Sequence, residues 1–422
     1  MSEPRPIQFS ALGRRATPPV IARLMNAALE TPGLLSLAVG FTDNATLPVG
    51  PFAEAVAALT AAGAAPESLQ YGTNQGRPAL RRLLAERIAR EEGWGTGAID
   101  PAAVFVTNGS QQALYLAMQV LCEPGDIILV DRPSYFVFLE LLRGLGIEAR
   151  SLPVDATGRL DVAALDALLD TMQRDGSAAR LKAVYFIGYF SNPSGRSLPV
   201  EEKRALARTL ASREMFLPTI EDAAYRQMAF DGAAGAPSLL ALEEWAAFPR
   251  LYAGTLTKPF ATGLKVGYGC CTDSAWLARM LHAKGHHDFG TANFNQAVLE
   301  RVLGDGTFDT HLARLRPAYA RKMRVLHEAL VAGGLAERGW KWAPPAGGLY
   351  LWLTAPEGLD LGIDSAFCRA CLDAGVLYVP GELCFGDAPL RNTARLSYGV
   401  LGEDELREAA RRFCAVAACD GR

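Results

Sequence analysis

Ala253-Gly-Thr-Leu-Thr-Lys258-Pro-Phe-Ala-Thr-Gly-Leu-Lys265-Val-Gly-Tyr268 sets two lysines among hydroxyls and glycines. On either side lie short runs, Leu251–Ala253 and Val266–Cys270, whose apolar, β-branched or aromatic content and closing turn residues mark strands. The chain has only seven lysines, at 182, 203, 258, 265, 284, 322 and 341, against thirty-five arginines. Where Arg is otherwise the cation of choice, a retained Lys needs a reason. Covalent amine chemistry is one, because guanidinium cannot deprotonate to become a nucleophile. Taken alone, the segment reads equally well as a polar loop with two solvated lysines.

Upstream the pattern recurs. Val104–Val106, Ile127–Val130, Ala183–Ile187 and Phe216–Ile220 read as further strands, and amphipathic stretches separate them, which predicts a mostly parallel sheet with crossover helices. Between the first two, Ala113–Leu121 puts Leu114, Met118 and Leu121 on one helical face and stops at Cys122-Glu-Pro-Gly-Asp126. That predicts a βαβ unit with a right-handed crossover. After Thr310 the texture changes to a helix over Leu312–Val331, a strand at Leu349–Leu353, a helix near Ser365–Ala374 and a terminal helix over Glu403–Cys414, a smaller α+β lobe. The first fifty residues, rich in Pro and Gly, are expected to pack on that lobe or on a partner chain. The organisation expected is an N-terminal segment (1–55), a large domain (56–310) and a small domain (311–422).

With 422 residues, 50% hydrophobic and 21% charged, the chain has globular make-up. A net charge of −3 without a basic stripe lacks the footprint of a nucleic-acid binder, so a small-molecule partner is expected. Apolar stretches such as Ala183–Ile187 fall far short of the ~20 residues of a membrane helix. Met1–Val20 carries Arg5, Arg14 and Arg15 but no apolar h-region, so the cytoplasm is the default location. The eight cysteines read as small core hydrophobes. Cys368 and Cys371, the only CxxC, have no second pair to complete a metal site. His282 and His286 lie four apart but flank Gly285, and Lys284-Gly-His286-His287 finds no role.

Amines, hydroxyls and bare backbone around Lys258 suit a phosphate with an aldehyde attached. Thr257-Lys258, followed seven residues later by a cation before Gly267-Tyr268, resembles the pyridoxal-phosphate lysine segment of the fold-type I aminotransferases (class I/II). Five further motifs stand in that family's order. They are Tyr71-Gly-Thr-Asn-Gln-Gly76 with Leu80-Arg81, Thr107-Asn-Gly-Ser110-Gln111-Gln112, Asn192-Pro-Ser-Gly195, Glu221-Asp222-Ala-Ala-Tyr225 and Arg395-Leu-Ser397. Leu35-Ser-Leu-Ala-Val-Gly40 and Ile220–Tyr225 look most like the 2-aminoadipate/kynurenine aminotransferase group.

The resemblance implies an α/β fold of that type: a large domain whose mostly parallel seven-stranded sheet is sandwiched by helices, plus a smaller α+β domain. It implies pyridoxal 5'-phosphate held by Lys258 as an internal aldimine, Lys258 then serving as proton shuttle. Asp222 would pair with the pyridine nitrogen, and Tyr225 and Asn192 would reach the cofactor's phenolic oxygen. The phosphate would meet the helix starting near Ser110, at the amides of Ser110 and Gln111, with the Ser110 hydroxyl doubling as helix cap. Thr255 and Lys265 would complete the cradle. The family more often has Ser and Arg there, and Lys265 cannot make Arg's two-pronged contact. Tyr135 would stack on the ring, Tyr71 would reach the phosphate of the neighbouring subunit in a homodimer, and Arg395, beside Gly40, would clamp the substrate α-carboxylate. Apart from the resemblance, Asp222 reads as an exposed carboxylate after a strand, Asn192 as part of a β-turn and Tyr135 as a core aromatic.

The function so implied is transamination between an L-amino acid and a 2-oxo acid in a ping-pong scheme. Another reaction on the same cofactor (oxidase, lyase, cyclase or decarboxylase) is the alternative, since function lives in the site and not in the fold. A sensor module like that of some transcription regulators would need a basic DNA-binding domain ahead of the fold. Phe41, Tyr189 and Phe190 are candidates to line a pocket for large side chains, and Arg14, Arg15 or Arg23 to pair an acidic one.

Overall fold

The computed structural model describes residues 7–20, 32–64, 66–230 and 235–419. Seven strands form the central sheet: β2 (Val104–Asn108), β3 (Ile127–Val130), β4 (Glu148–Ser151), β5 (Leu181–Ile187), β6 (Thr219–Asp222), β7 (Arg250–Thr255) and β8 (Val266–Cys271). Their order is β2-β8-β7-β6-β5-β3-β4, parallel throughout except that β8 runs antiparallel to both of its neighbours. The continuous apolar runs follow from burial on both faces. Ile128 and Val130 pack with helices Gly109–Leu121, Phe136–Leu145 and Ser274–His287, while Ile127 and Leu129 pack with Val162–Arg174 and Val200–Ala211 on the other side.

The same period of two separates adjacent carboxylates on β6. Glu221 faces the Val200–Ala211 helix, where the buried Lys203 ammonium donates to it at 2.5 Å and the Leu239 amide at 2.7 Å. Asp222 faces the opposite way. Register aligns Ile187 with Asp222 and Asp222 with Ala253, so the carboxyl ends of β5, β6 and β7 open at one level. In an open parallel sheet that edge is where ligands bind.

Two sequence expectations are corrected here, the starts of β6 and of the Gly109–Leu121 helix. Phe216–Ile220 is not a strand from its first residue: β6 starts at Thr219, after Pro218, and Phe216 is 45% exposed with its ring edge-on to Phe248. The seventh strand, Glu148–Ser151, was not read from the residues because its Glu-Ala-Arg-Ser is polar. It occupies the outer edge, paired only with β3. As in the expected βαβ unit, the strands flanking the Gly109–Leu121 helix run parallel in one sheet, with β8, β7, β6 and β5 lying between β2 and β3. That helix also starts at Gly109, not Ala113.

A second sheet joins β9 (Tyr350–Thr354), β11 (Val379–Pro380) and β12 (Thr393–Ser397) in the antiparallel order β11-β12-β9. It packs with the helices Thr307–Ala332, Ala366–Asp373 and Glu403–Cys419 around Leu326, Phe367 and Phe413. Near the N-terminus, β1 (Leu35–Ser36) pairs in parallel with β10 (Val376–Leu377), which ties the segment leading to Gly40 to this C-terminal part. Ser365 caps its helix, accepting from the Cys368 amide at 3.0 Å, and both Cys368 and Cys371 point into the core. Among the described residues no helix is long and apolar enough to cross a membrane.

Candidate active site

At one end of the site the chain leaves β2, turns at Gly109 with φ +70°, and enters the helix. Ser110 is not the cap. Asn108 holds that position without a side-chain cap bond, so the first amides, those of Ser110 and Gln111 among them, lack helical acceptors. Gln111 Oε1 is buried with no partner. β8 crosses directly behind, and a Cβ on Gly267 would collide with the backbone of Gly109 and Ser110, so only glycine permits this approach. From the other side Asp288 accepts from Asn108 Nδ2, Gln112 Nε2 and Lys284 Nζ at 2.8, 2.8 and 2.9 Å. Lys284-Gly-His286-His287 thus gains a structural place, Lys284 buried against Asp288 and His287 ringed against Tyr115. Thr255 ends β7 with its Oγ1 2.7 Å from Thr257 Oγ1. Lys265 is exposed, enters β8 from a left-handed φ of 56°, and makes no ion pair among the described residues.

At the other end lie Lys258, Asp222, Tyr225, Asn192, Arg395 and Gly40. Lys258 Nζ donates to the Gly40 carbonyl at 2.6 Å, and burial lowers its pKa, opposed by Tyr350 and reinforced by Arg395 and Lys265. Asp222 accepts from the Tyr185 hydroxyl at 3.1 Å and the Ala224 amide at 2.9 Å. Among the described residues it pairs with no cation, and burial pushes its pKa up to about 6. Asp131, in the same region and bonded by Ser134 Oγ at 2.5 Å, is pushed by burial to about 7. The Tyr225 and Tyr350 hydroxyls lie 2.9 Å apart. Arg395 is 1% exposed: Nη1 donates to Asn192 Oδ1 at 2.8 Å, Nη2 to the Ala38 carbonyl, and buried Nε has no partner. Its guanidinium lies 4.3 Å from the Tyr350 ring centre. Tyr135 precedes the Phe136–Leu145 helix, and its field reaches Tyr350, Asp222 and Arg395.

Residues scattered over more than 350 positions therefore meet. Tyr185 and Tyr350 were absent from the sequence reading because each stands inside an apolar strand, where an aromatic reads as core. Tyr71 lies apart, 82% exposed and edge-on to Phe289. Tyr189 and Phe190 do not line a pocket. The Tyr189 hydroxyl is spent on the Ala236 carbonyl, and Phe190 packs against Gly347 and Gly348. Arg15 binds the carbonyls of Gly144 and Leu145 at the end of a helix, and Arg14 binds that of Phe9. Arg23 lies outside the described residues. A cavity of about 900 Å³ opens at the Asn192 turn, lined by Ser191, Ser194, Trp342, Trp352 and Phe385, but by none of Lys258, Asp222, Tyr225 and Arg395.

The donor set fits one kind of group. A phosphate suits the free helix amides and Lys265, an aldehyde suits a depressed lysine amine, and a protonated ring nitrogen suits a buried carboxylate without a cation. The sequence profile described as aminotransferase class I and II matches residues 32–413. The chain belongs to that family. It is 31% identical to aromatic-amino-acid aminotransferase 1 of Thermococcus litoralis over 96% of this chain and 92% of that one. It is also 31% identical to the 2-aminoadipate transaminase of Thermus thermophilus, over 91% and 90%. Among solved structures, kynurenine aminotransferase of Pyrococcus horikoshii matches with a TM-score of 0.88 and 27% identity over 98% of each chain. The α-aminoadipate aminotransferase LysN of Thermus thermophilus, complexed with N-(5'-phosphopyridoxyl)-L-leucine, matches at 0.82 with 30% identity over 97% of each. The protein is a pyridoxal-phosphate-dependent transaminase of fold type I.

For this transaminase the buried Asp222 carries a cost in the cofactor-free protein. Its folded pKa, about 6, exceeds its ordinary 3.8, so the cofactor-free protein loses stability as pH rises through that interval. Cofactor-free Asp222→Asn is expected to be more stable than cofactor-free wild type at pH ~8 by about 1–3 kcal/mol, and so to unfold at a higher temperature, with the gap closing near pH ~4. Calorimetry at both pH values checks this. A variant less stable than wild type at the higher pH contradicts it.

Proposed function

We propose that Lys258, Asp222 and Tyr225 carry the chemistry of this transaminase, in a cytoplasmic homodimer whose sites each take Tyr71 from the other subunit. The observation that supports this most is the meeting of a lysine amine held below its usual pKa, a buried carboxylate held above its own, and the buried guanidinium of Arg395.

Pyridoxal phosphate supplies an electrophilic aldehyde and an electron-accepting ring. Lys258 Nζ, made more readily neutral by burial, is the covalent anchor and afterwards carries the proton to and from the substrate Cα. Asp222 holds the proton on the pyridine nitrogen, and Tyr185 fixes the carboxylate's orientation. Asn192 Oδ1 accepts from Arg395, and its Nδ2 together with the Tyr225 hydroxyl would hold the phenolic oxygen. The Ser110 and Gln111 amides, Thr255 and Lys265 would hold the phosphate, and Tyr135 would hold the ring. Arg395, beside Gly40, receives the α-carboxylate; its unpartnered Nε is the mark of a buried donor awaiting an acceptor.

Exposure of Tyr71 and Phe289, 82% and 68%, supports a covering subunit there. The division into 1–55, 56–310 and 311–422 belongs to the same proposal. Both boundaries cut a helix, Val49–Thr60 and Thr307–Ala332, and are better set at Val49 and Thr307. For substrates we infer L-amino acids with aromatic or long side chains. The names of the relatives support this, and so does Phe41, which follows Gly40 and is 52% exposed.

Lys258→Ala is expected to lower turnover by at least 10²- to 10⁴-fold, on the order of a positioned acid–base group, and to abolish borohydride-fixed cofactor on the protein by mass spectrometry. An active variant, or fixation elsewhere, overturns the assignment. Equal mixing and refolding of inactive Lys258→Ala with inactive Tyr71→Ala should restore about a quarter of wild-type activity, because half of the dimers then own one intact site of two. No recovery from a mixture that does form dimers removes the shared site. Among amino acids added singly to the holoenzyme, aromatic and aminoadipate-type ones should bleach the cofactor band at lower concentration than alanine or aspartate. The reverse order refutes the substrate inference.

A further inference from the structure

We propose that Tyr350 is a positioning residue for both halves of the site: its hydroxyl strengthens Tyr225 as a donor to the cofactor, and its ring is the platform for Arg395. The inference rests on the roles given above to Tyr225 and Arg395. Tyr350 opens β9, the edge strand whose partner β12 carries Arg395, and it is 1% exposed. Register sets Tyr350 opposite Ser397 and Trp352 opposite Arg395, so the Arg395 side chain reaches back along the pair to cover the Tyr350 ring at 4.3 Å. The Tyr225 ring meets the same tyrosine edge-on at 5.7 Å, hydroxyl to hydroxyl at 2.9 Å.

Space for that hydroxyl exists because residue 40 is glycine. A Cβ there would stand 2.6 Å from Tyr350 Oη. The carbonyl of the same Gly40 holds Lys258 Nζ, so one backbone stretch serves the lysine and the tyrosine pair. A tyrosine hydroxyl can donate once and accept as well. With Tyr225 donating to the phenolic oxygen, its free acceptor position faces Tyr350, and a bond received there polarises Tyr225 into a stronger donor. Negative charge on the phenolic oxygen is then better supported, and the proton on Lys258 Nζ, when that atom is joined to the cofactor, leaves more easily. A phenylalanine at 350 would pack as well and supply none of this.

The experiment is a pH titration of the cofactor absorption band in purified holoenzyme. Tyr350→Phe should move the midpoint upward by roughly 0.3–1 pH unit, the worth of one neutral hydrogen bond, with KM for the amino acid little changed. Tyr225→Phe should move it further in the same direction, and Tyr225→Phe/Tyr350→Phe no further than Tyr225→Phe, because the second hydroxyl acts through the first. Tyr350→Leu, which also removes the platform, should raise KM several-fold. A Tyr350→Phe midpoint equal to wild type, or a shift that adds in full to that of Tyr225→Phe, overturns the proposal while leaving the transaminase assignment intact. Failure of the wild-type protein to hold the cofactor at Lys258 overturns that assignment instead.

Discussion

A carboxylate buried at the end of a central strand, paired with no cation among the described residues, is the constraint around which the site is arranged. Asp222 is 5% exposed and has two neutral donors, the Tyr185 hydroxyl and the Ala224 amide. Two such bonds do not offset the loss of water, hence its raised pKa. Glu221, one residue earlier on the other face, shows the alternative: a lysine of its own and a backbone amide, fully enclosed. Side by side on one strand, the sheet holds one acid that is satisfied and one that is kept waiting. The second is where a protonated ligand is stabilised most.

Everything else places ligand atoms relative to that acid. The parallel strands end at one level, which brings Asn192, Asp222, Thr255 and Lys258 to one edge from segments far apart in sequence. The glycine pair at 109 and 267 lets β8 pass close behind the helix start, and Asp288 clamps that start through Asn108 and Gln112. The start of that helix is therefore tied on two sides, and its distance from Asp222 is set by the sheet.

Arg395 performs the corresponding task between the two sheets. It belongs to β12, yet it bonds Asn192 at the mouth of the central sheet and Ala38 in the N-terminal segment, over the ring of Tyr350. Three stretches of chain are thus held by one guanidinium whose Nε remains free. A substrate carboxylate entering there would compete for groups that already join these elements, which couples binding to how the elements sit.

Much of this was legible in the linear chain. Short apolar runs between amphipathic stretches specify a parallel sheet because buried strands need them, whereas Lys258, Asp222 and Asn192 stand in ordinary loop and turn positions whose roles come from the family resemblance. The sequence also carried the order of the motifs, and with it the family. What it could not carry were the relations across the sheet. The polar edge strand Glu148–Ser151 lacks alternation because only one neighbour and a surface define it. Tyr185 and Tyr350 look like core aromatics until folding turns their hydroxyls toward Asp222 and Tyr225. Tyr189 and Phe190 look like pocket walls until the same folding turns them into packing. Local chemistry is written in residue type and spacing. Which hydroxyl meets which partner depends on strand order and register, and those are settled only when distant segments are packed together.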